Sequence, residues 1–179
     1  MNIKIEDITL RAIEETDLPL LLTMINDAEI ENSISGYTFP LSYKQQKDWF
    51  ENLSANKNEL RVIIDLKNRG AIGTAILSDI DWKNRNAEFH FKIISDENVR
   101  GCGYGTKAAK ALLDYAFKQL GLHCIFMNVL DYNKASQRVA EKCGFKKEGI
   151  LRKRVFKNGD YHDIVSWSLL EHEFKLSGE

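Results

Sequence analysis

The chain has 179 residues, 44% of them hydrophobic and 28% charged, with a formal net charge of −1. That balance excludes a disordered chain and gives no electrostatic reason to expect a nucleic-acid or membrane-surface partner. Three widely spaced cysteines, Cys102, Cys124 and Cys143, fit neither a disulfide framework nor a metal site, and no apolar run is long enough to span a bilayer. A reducing cytosol is the expected compartment, and the N-terminus lacks a signal-peptide pattern.

A length of this order fits one domain, expected to cover residues 1–179. Residues 8–14 read as a first strand, and Thr16 as the cap of a helix carrying Leu18, Leu21, Leu22 and Ile25. The polar run 32–36 breaks that helix into a loop. Ser42 and Gln45 form a capping-box pattern that opens a second helix through Trp49, Phe50 and Leu53. Residues 60–66 and 71–79 are strands joined by a hairpin turn at 67–70. After a polar turn at 81–86 the chain alternates again, with Ala87, Phe89, Phe91 and Ile93 on one side and Glu88, His90 and Lys92 on the other. A glycine-rich loop then leads into a helix whose apolar face is Ala109, Leu112, Leu113, Ala116, Phe117 and Leu120, with Gly121 as its stop. Residues 123–130 make another strand. Asn133 caps a short helix carrying Val139, Ala140 and Cys143 inward, and Gly144 ends it. Residues 151–156 and 161–169 pair across Lys157-Asn158-Gly159-Asp160 as a last hairpin. Seven strands interleaved irregularly with helices place the chain in the α+β (mixed α/β) class, with helices on both faces of the sheet.

The loop Arg100-Gly101-Cys102-Gly103-Tyr104-Gly105-Thr106 sits between a strand and a helix, where bare backbone N–H groups and the positive end of the helix dipole suit a phosphate. Arg100 at its mouth would add a charge-assisted contact. The dinucleotide fingerprint fails because Thr106 stands in the third glycine's place, and the P-loop pattern fails at Thr106 and Ala108. The spacing that remains is R-x-x-G-x-G, on Arg100, Gly103 and Gly105.

That spacing resembles the coenzyme A loop of the GNAT family of N-acetyltransferases. A second stretch, Asn133-Lys134-Ala135-Ser136 followed by Glu141-Lys142-Cys143-Gly144-Phe145, is similar to the N-x-x-S…E-K-x-G-F segment of the branch that holds the ribosomal-protein N-terminal acetyltransferases and spermidine acetyltransferases. The resemblance extends over nearly the whole chain and implies a GNAT fold, a central twisted, mostly antiparallel sheet of about seven strands. It implies acetyl-CoA as cosubstrate, a primary amine as acceptor, and by analogy a homodimer. In the family the strand before the glycine loop splays from its neighbour and binds the pantetheine arm through its backbone; here that implies Ile93, Ile94 and Ser95. Arg100, Gly101, Cys102, Gly103, Tyr104, Gly105 and Thr106 would hold the pyrophosphate. Asn133 and Ser136 would bond the cofactor, and Lys142 would reach its phosphates. Asn133 also reads as a plain helix cap, Ser136 as a solvent-facing residue and Lys142 as a surface lysine.

Acyl transfer needs a base for the amine proton and an acid for the leaving thiolate. Glu88 is the first candidate base, directly or through water, with His90 on the same face as second; both also fit a polar sheet face that only shapes the acceptor cleft. Ser136 resembles the serine proposed as acid in the ribosomal-protein branch. The chain departs from its relatives at Ala140, where many carry a tyrosine, and at Val155, where that branch has a glutamate. Peptide or protein N-termini are ranked above small amines such as polyamines, amino sugars or aminoglycosides, and the alternative of another class is a module that binds acetyl-CoA without turnover. The acceptor pocket is expected from the loop around 32–40 and the last hairpin. The acidic trio Asp27, Glu29 and Glu31 reads either as bait for a cationic amine or as a solvated helix face. The basic residues Lys146, Lys147, Arg152, Lys153, Arg154 and Lys157 read as a solvated strand pair.

Overall fold

In a computed structural model, which describes residues 2–36 and 39–175, eight strands form one sheet in the order β1-β2-β3-β4-β5-β6-β8-β7. The strands are β1 (Ile3–Ile5), β2 (Ile8–Arg11), β3 (Leu60–Leu66), β4 (Gly70–Asp81), β5 (Asn86–Ile93), β6 (Cys124–Leu130), β7 (Lys146–Lys157) and β8 (Asp160–Leu170). The helices are α1 (Leu18–Ile25), α2 (Ala28–Ser33), α3 (Tyr43–Asn52), α4 (Tyr104–Lys118) and α5 (Lys134–Cys143). Every pairing is antiparallel except β5 with β6. The expected seven strands become eight because β1, three residues long, is too short to show a period and gains its structure by pairing with β2.

Alternation along the strands sorts the side chains into two layers. Ile64 faces the larger core beneath α4 and α5, while its neighbour Ile63 packs with Leu18 and Leu21 of α1 and with Trp49 and Phe50 of α3. Helices therefore cover both faces. The capping box at Ser42 forms as the sequence indicates, with Gln45 bonding back to the Ser42 amide at 2.9 Å.

Three boundaries differ from expectation. The expected first strand stops at Arg11, whose guanidinium turns to Asp17 and Asp65 at 2.8 and 2.7 Å. The first helix does not run to residue 32: it ends at Ile25, and Asp27 caps a separate helix α2 by accepting from the amides of Glu29 and Ile30. The last hairpin begins at Lys146 rather than 151, its exposed, charged residues hiding the strand period. Lys157 in its turn is not solvated. It is 7% exposed, and its ammonium donates to the Glu31 carbonyl at 2.7 Å and carboxylate at 2.6 Å.

Candidate active site

β5 and β6 pair only through Asn86, Ala87 and Glu88 against Cys124, Ile125 and Phe126. Beyond that point β5 stays bound to β4 as far as Ile93 and β6 stays bound to β8 as far as Leu130, so the two strands part and leave their inner edges open. The Ile94 amide donates to Ile72 at 3.0 Å, so the next residue back, Ile93, turns its own N–H and C=O away from β4 and into the gap. Of the three backbone positions expected there, Ile93 faces the opening while the Ile94 amide is committed to β4. Gly73 lets β4 come close at this place, since a Cβ there would lie 2.1 Å from the Lys92 carbonyl oxygen.

The glycine loop closes one end of the gap. Gly103 is the N-cap of α4 at φ +85°, a left-handed conformation that side-chain-bearing residues resist, and the first-turn amides of α4 open onto a cavity of about 470 Å³. Gly101, Gly103, Tyr104, Gly105 and Thr106 line it, with Phe91 and Ile93 as its apolar wall. From α5 come Asn133, Ser136 and Lys142, so these expected residues are brought to the same cavity. Arg138 joins them, missed by motif reading although its spacing four residues before Lys142 puts both on one helix face. Arg100 reaches the cavity but is engaged with Glu29 of α2 and with Ser95 Oγ at 2.9 Å. Ser95, Ile94 and Cys102 do not line it. Lys107, next in the helix, turns away to Glu6 and Asp7.

A diphosphate ester with a long amide arm fits this shape. Unpaired helix amides and the cations Arg138 and Lys142 suit the diphosphate, and the free edge of β5 suits the arm. Asn133 is a cap after all: its Oδ1 accepts from the Ser136 amide at 3.0 Å, and its Nδ2 donates to the Ser33 carbonyl at 2.7 Å. Ala140 is fully buried in the main core and contributes nothing to the cavity.

The other end of the gap is a second cleft of about 320 Å³, which shares Phe91, Lys92, Asn133 and Ser136 with the first. Glu88 and His90 stand in it side by side on β5. Asn128 of β6 donates to Glu88 Oε1 at 3.0 Å, and His90 Nε2 lies 3.6 Å from Glu88 Oε2 and 3.0 Å from Ser78 Oγ. Burial pushes the His90 imidazole below its ordinary pKa, against the opposing pull of Glu88, so the ring is neutral near pH 7. Ser136 borders both clefts, and its hydroxyl has no hydrogen-bond partner among the described residues. The arrangement places a hydroxyl where a long cofactor-shaped cavity meets a smaller polar one, and a carboxylate within the smaller one. Of the loop expected to shape the acceptor pocket, Ser33, Ile34, Ser35 and Gly36 line this cleft, while residues 37 and 38 lie outside the described residues.

Comparison with known proteins agrees with this geometry. Residues 7–146 match the model of the acetyltransferase (GNAT) domain. Over 172 residues the chain is 30% identical to the SPbeta prophage-derived uncharacterized N-acetyltransferase YokL of Bacillus subtilis, covering 96% of this chain and 94% of that one. YdaF of B. subtilis, named as a ribosomal N-acetyltransferase, is 35% identical over 58% of this chain and 55% of its own. The structure of spermidine N-acetyltransferase from Vibrio cholerae, in complex with CoA and spermine, superposes with a TM-score of 0.85 at 28% identity, covering 93% of this chain and 97% of that one. Sheet, glycine loop and family match point the same way: the chain belongs to the GNAT family of N-acetyltransferases, enzymes that use acetyl-CoA.

Proposed function

We propose that the chain, acting as a single cytosolic acetyltransferase domain, passes the acetyl group of acetyl-CoA directly to a primary amine, with Glu88 receiving the amine proton and Ser136 protonating the departing sulfur. The observation that carries this reading is the meeting of the two clefts at Ser136, with Glu88 held in the smaller one by Asn128. Acetyl-CoA supplies the acyl group as a thioester; the chain's residues position it and manage the protons. The amides at the start of α4, with Arg138 and Lys142, hold the diphosphate, and the Ile93 edge aligns the arm. One carbon–nitrogen bond forms and one carbon–sulfur bond breaks. The amine gives up a proton to Glu88, directly or through a water, and the thiolate takes one from the Ser136 hydroxyl, which solvent restores. Neutral His90 beside the second Glu88 oxygen keeps that carboxylate turned toward the cleft.

For the acceptor, likeness to YdaF over a little more than half the chain supports a peptide N-terminus. Likeness to spermidine acetyltransferases over nearly the whole chain supports a small primary amine, and that is the acceptor class we take. Self-association is supported by the dodecameric assembly of the Vibrio protein and by Ile150, Leu151 and Phe156 exposed on the sheet-edge strand β7. The test is release of free CoA thiol from acetyl-CoA over a panel of peptide and small amines, with mass spectrometry of the acceptors. Amine-dependent release is expected. Saturable acetyl-CoA binding with no release from any amine would instead make the chain a binding module.

A further inference from the structure

Beside the acceptor cleft lies a third cavity of about 310 Å³, between α1, α3 and the sheet, which none of the catalytic candidates lines. Its polar lining is Gln45, Gln46, Trp49, Arg61, Thr74 and Lys92; the rest of its wall is apolar. It thus presents two cations and, among the described residues, no carboxylate. Arg61 and Lys92 also line the cleft that holds Glu88 and His90, so the two spaces are neighbours across these side chains.

The cations are not bonded to each other, and of the two only Arg61 has a carboxylate partner among the described residues, Glu59. Lys92 has no hydrogen bond or ion pair within 4 Å among the described residues, and burial, with Arg61 nearby, pushes its pKa down. Arg61 gives one nitrogen, Nε, to Glu59 at 2.9 Å, and its guanidinium lies 5.4 Å from the Trp49 ring centroid, while its terminal nitrogens have no acceptor among the described residues. Gln46 and Thr74 are 5% and 3% exposed, yet neither side chain makes a hydrogen bond among the described residues. Neither is among the fully buried side-chain atoms that lack a partner, so their polar ends open into the cavity, where a ligand can meet them. Of the other charged groups on this side, Glu59 offsets part of the Arg61 charge, Glu31 is held by Lys157, and Glu88 and Asp79 stand at the far end of the strip beside His90 and Ser78, so Lys92 and the outer face of Arg61 leave the cavity cationic.

We infer that the acceptor is a small amine that also carries an anionic group, carboxylate or phosphate, and that Arg61, Lys92, Gln46 and Thr74 receive that group while the amine reaches Glu88. The inference rests on the acetyl transfer proposed above and names its acceptor class. Glu88 and Lys92 are four residues apart on one strand, about 13 Å between Cα atoms, so the acceptor spans several bonds between its charges. A polyamine would bring a second positive charge toward two fixed ones, a like-charge contact that the cleft penalises.

The test is a matched series of equal length: 4-aminobutyrate, 3-aminopropylphosphonate, butylamine and 1,4-diaminobutane, repeated with the corresponding six-carbon carboxylate, amine and diamine. For the native protein, kcat/KM for the anionic amines is expected to exceed that of the neutral amine by about tenfold or more, the worth of one charge-assisted hydrogen bond, with the diamine lowest. The two anions tell carboxylate from phosphate. Arg61→Met, which keeps the stem on Trp49, is expected to bring anionic and neutral amines together within a few-fold while KM for acetyl-CoA stays put, and Lys92→Met is expected to do the same for the acceptors. Equal or better use of the diamine by the native protein overturns the inference, as does undiminished discrimination in both variants. If no amine is turned over, calorimetry of the same series on the CoA-bound protein decides. Tighter binding of the anions that Arg61→Met abolishes would sustain anion recognition while the transfer reading falls, and equal or absent binding of all would overturn both.

Discussion

Glu88 is fixed by its surroundings more than by its own flexibility. One oxygen accepts from Asn128, the other faces His90, and the side chain is only 17% exposed. A glutamine at this position keeps an acceptor for Asn128 but has no site for a proton, so Glu88→Gln separates proton transfer from packing. We expect kcat to fall by about 10²-fold or more, the usual worth of a positioned base, while acetyl-CoA affinity and melting temperature stay near native values. Stopped-flow rates check this, and an unaltered rate would remove Glu88 from the mechanism. His90 adds a pH effect of its own on stability. Its folded-state pKa lies below the ordinary 6.5, so the unfolded chain binds the proton more readily and stability falls as pH drops from 6.5 toward the lowered value. Thermal melts should therefore show a loss that sets in at higher pH than the acid loss starting near 3.8, where the unfolded chain binds protons at Asp7, Asp17 and Asp27 that the fold holds off, and His90→Gln should remove the earlier loss.

At the scale of elements, the glycine loop and α2 obey different rules. The loop is local. Gly103 must take a positive φ so that the first amides of α4 point into the cavity, and any Cβ costs about 1–2 kcal/mol there even though no atom lies within 4 Å of it. Gly103→Val should therefore fold, melt slightly lower, and lose acetyl-CoA affinity by about tenfold or more as the branched side chain stands over the amides. Calorimetry reads the affinity and circular dichroism the fold; native affinity would contradict the loop assignment. Helix α2 is the opposite case. Six residues cannot hold a helix alone, and its last carbonyls are satisfied from far away in sequence. Lys157 donates to Glu31, Tyr132 to Asn32 and Asn133 to Ser33, each at 2.7 Å. No pattern within residues 26–34 announces this; Asp27 as a cap was the one local sign.

At the scale of the molecule, α2 is a wall shared by several distant parts. Its Glu29 meets Arg100 of the glycine loop, its Glu31 meets the β7–β8 turn, and its end lies against the start of α5. Lys157→Met removes the cation from a nearly dry pair and leaves Glu31 without it. The expected cost is about 3 kcal/mol, a fall in melting temperature of roughly 6–12 °C for a chain of this size. Acceptor KM should rise more than acetyl-CoA KM, because α2 and the residues after it border the smaller cleft. Native stability and kinetics in this variant would show that the turn does not brace the wall.

Much of the fold was readable from the chain because it rests on short-range chemistry. Strand alternation at 87–93, the apolar stripe of α4, the Ser42 and Asn133 caps and the R-x-x-G-x-G loop each act within a few residues, and so did the motifs that implied the family and its cosubstrate. What only the tertiary structure decided is where β5 and β6 cease to pair, since that depends on β4 and β8 holding them from outside. It also decided that Arg138 faces the cavity, that Lys157 is buried, and that Arg61, two strands away from Lys92, shares a space with it. Each of those facts joins residues brought together by the pleat and stacking of the sheet, and no local period encodes which neighbours a side chain will meet.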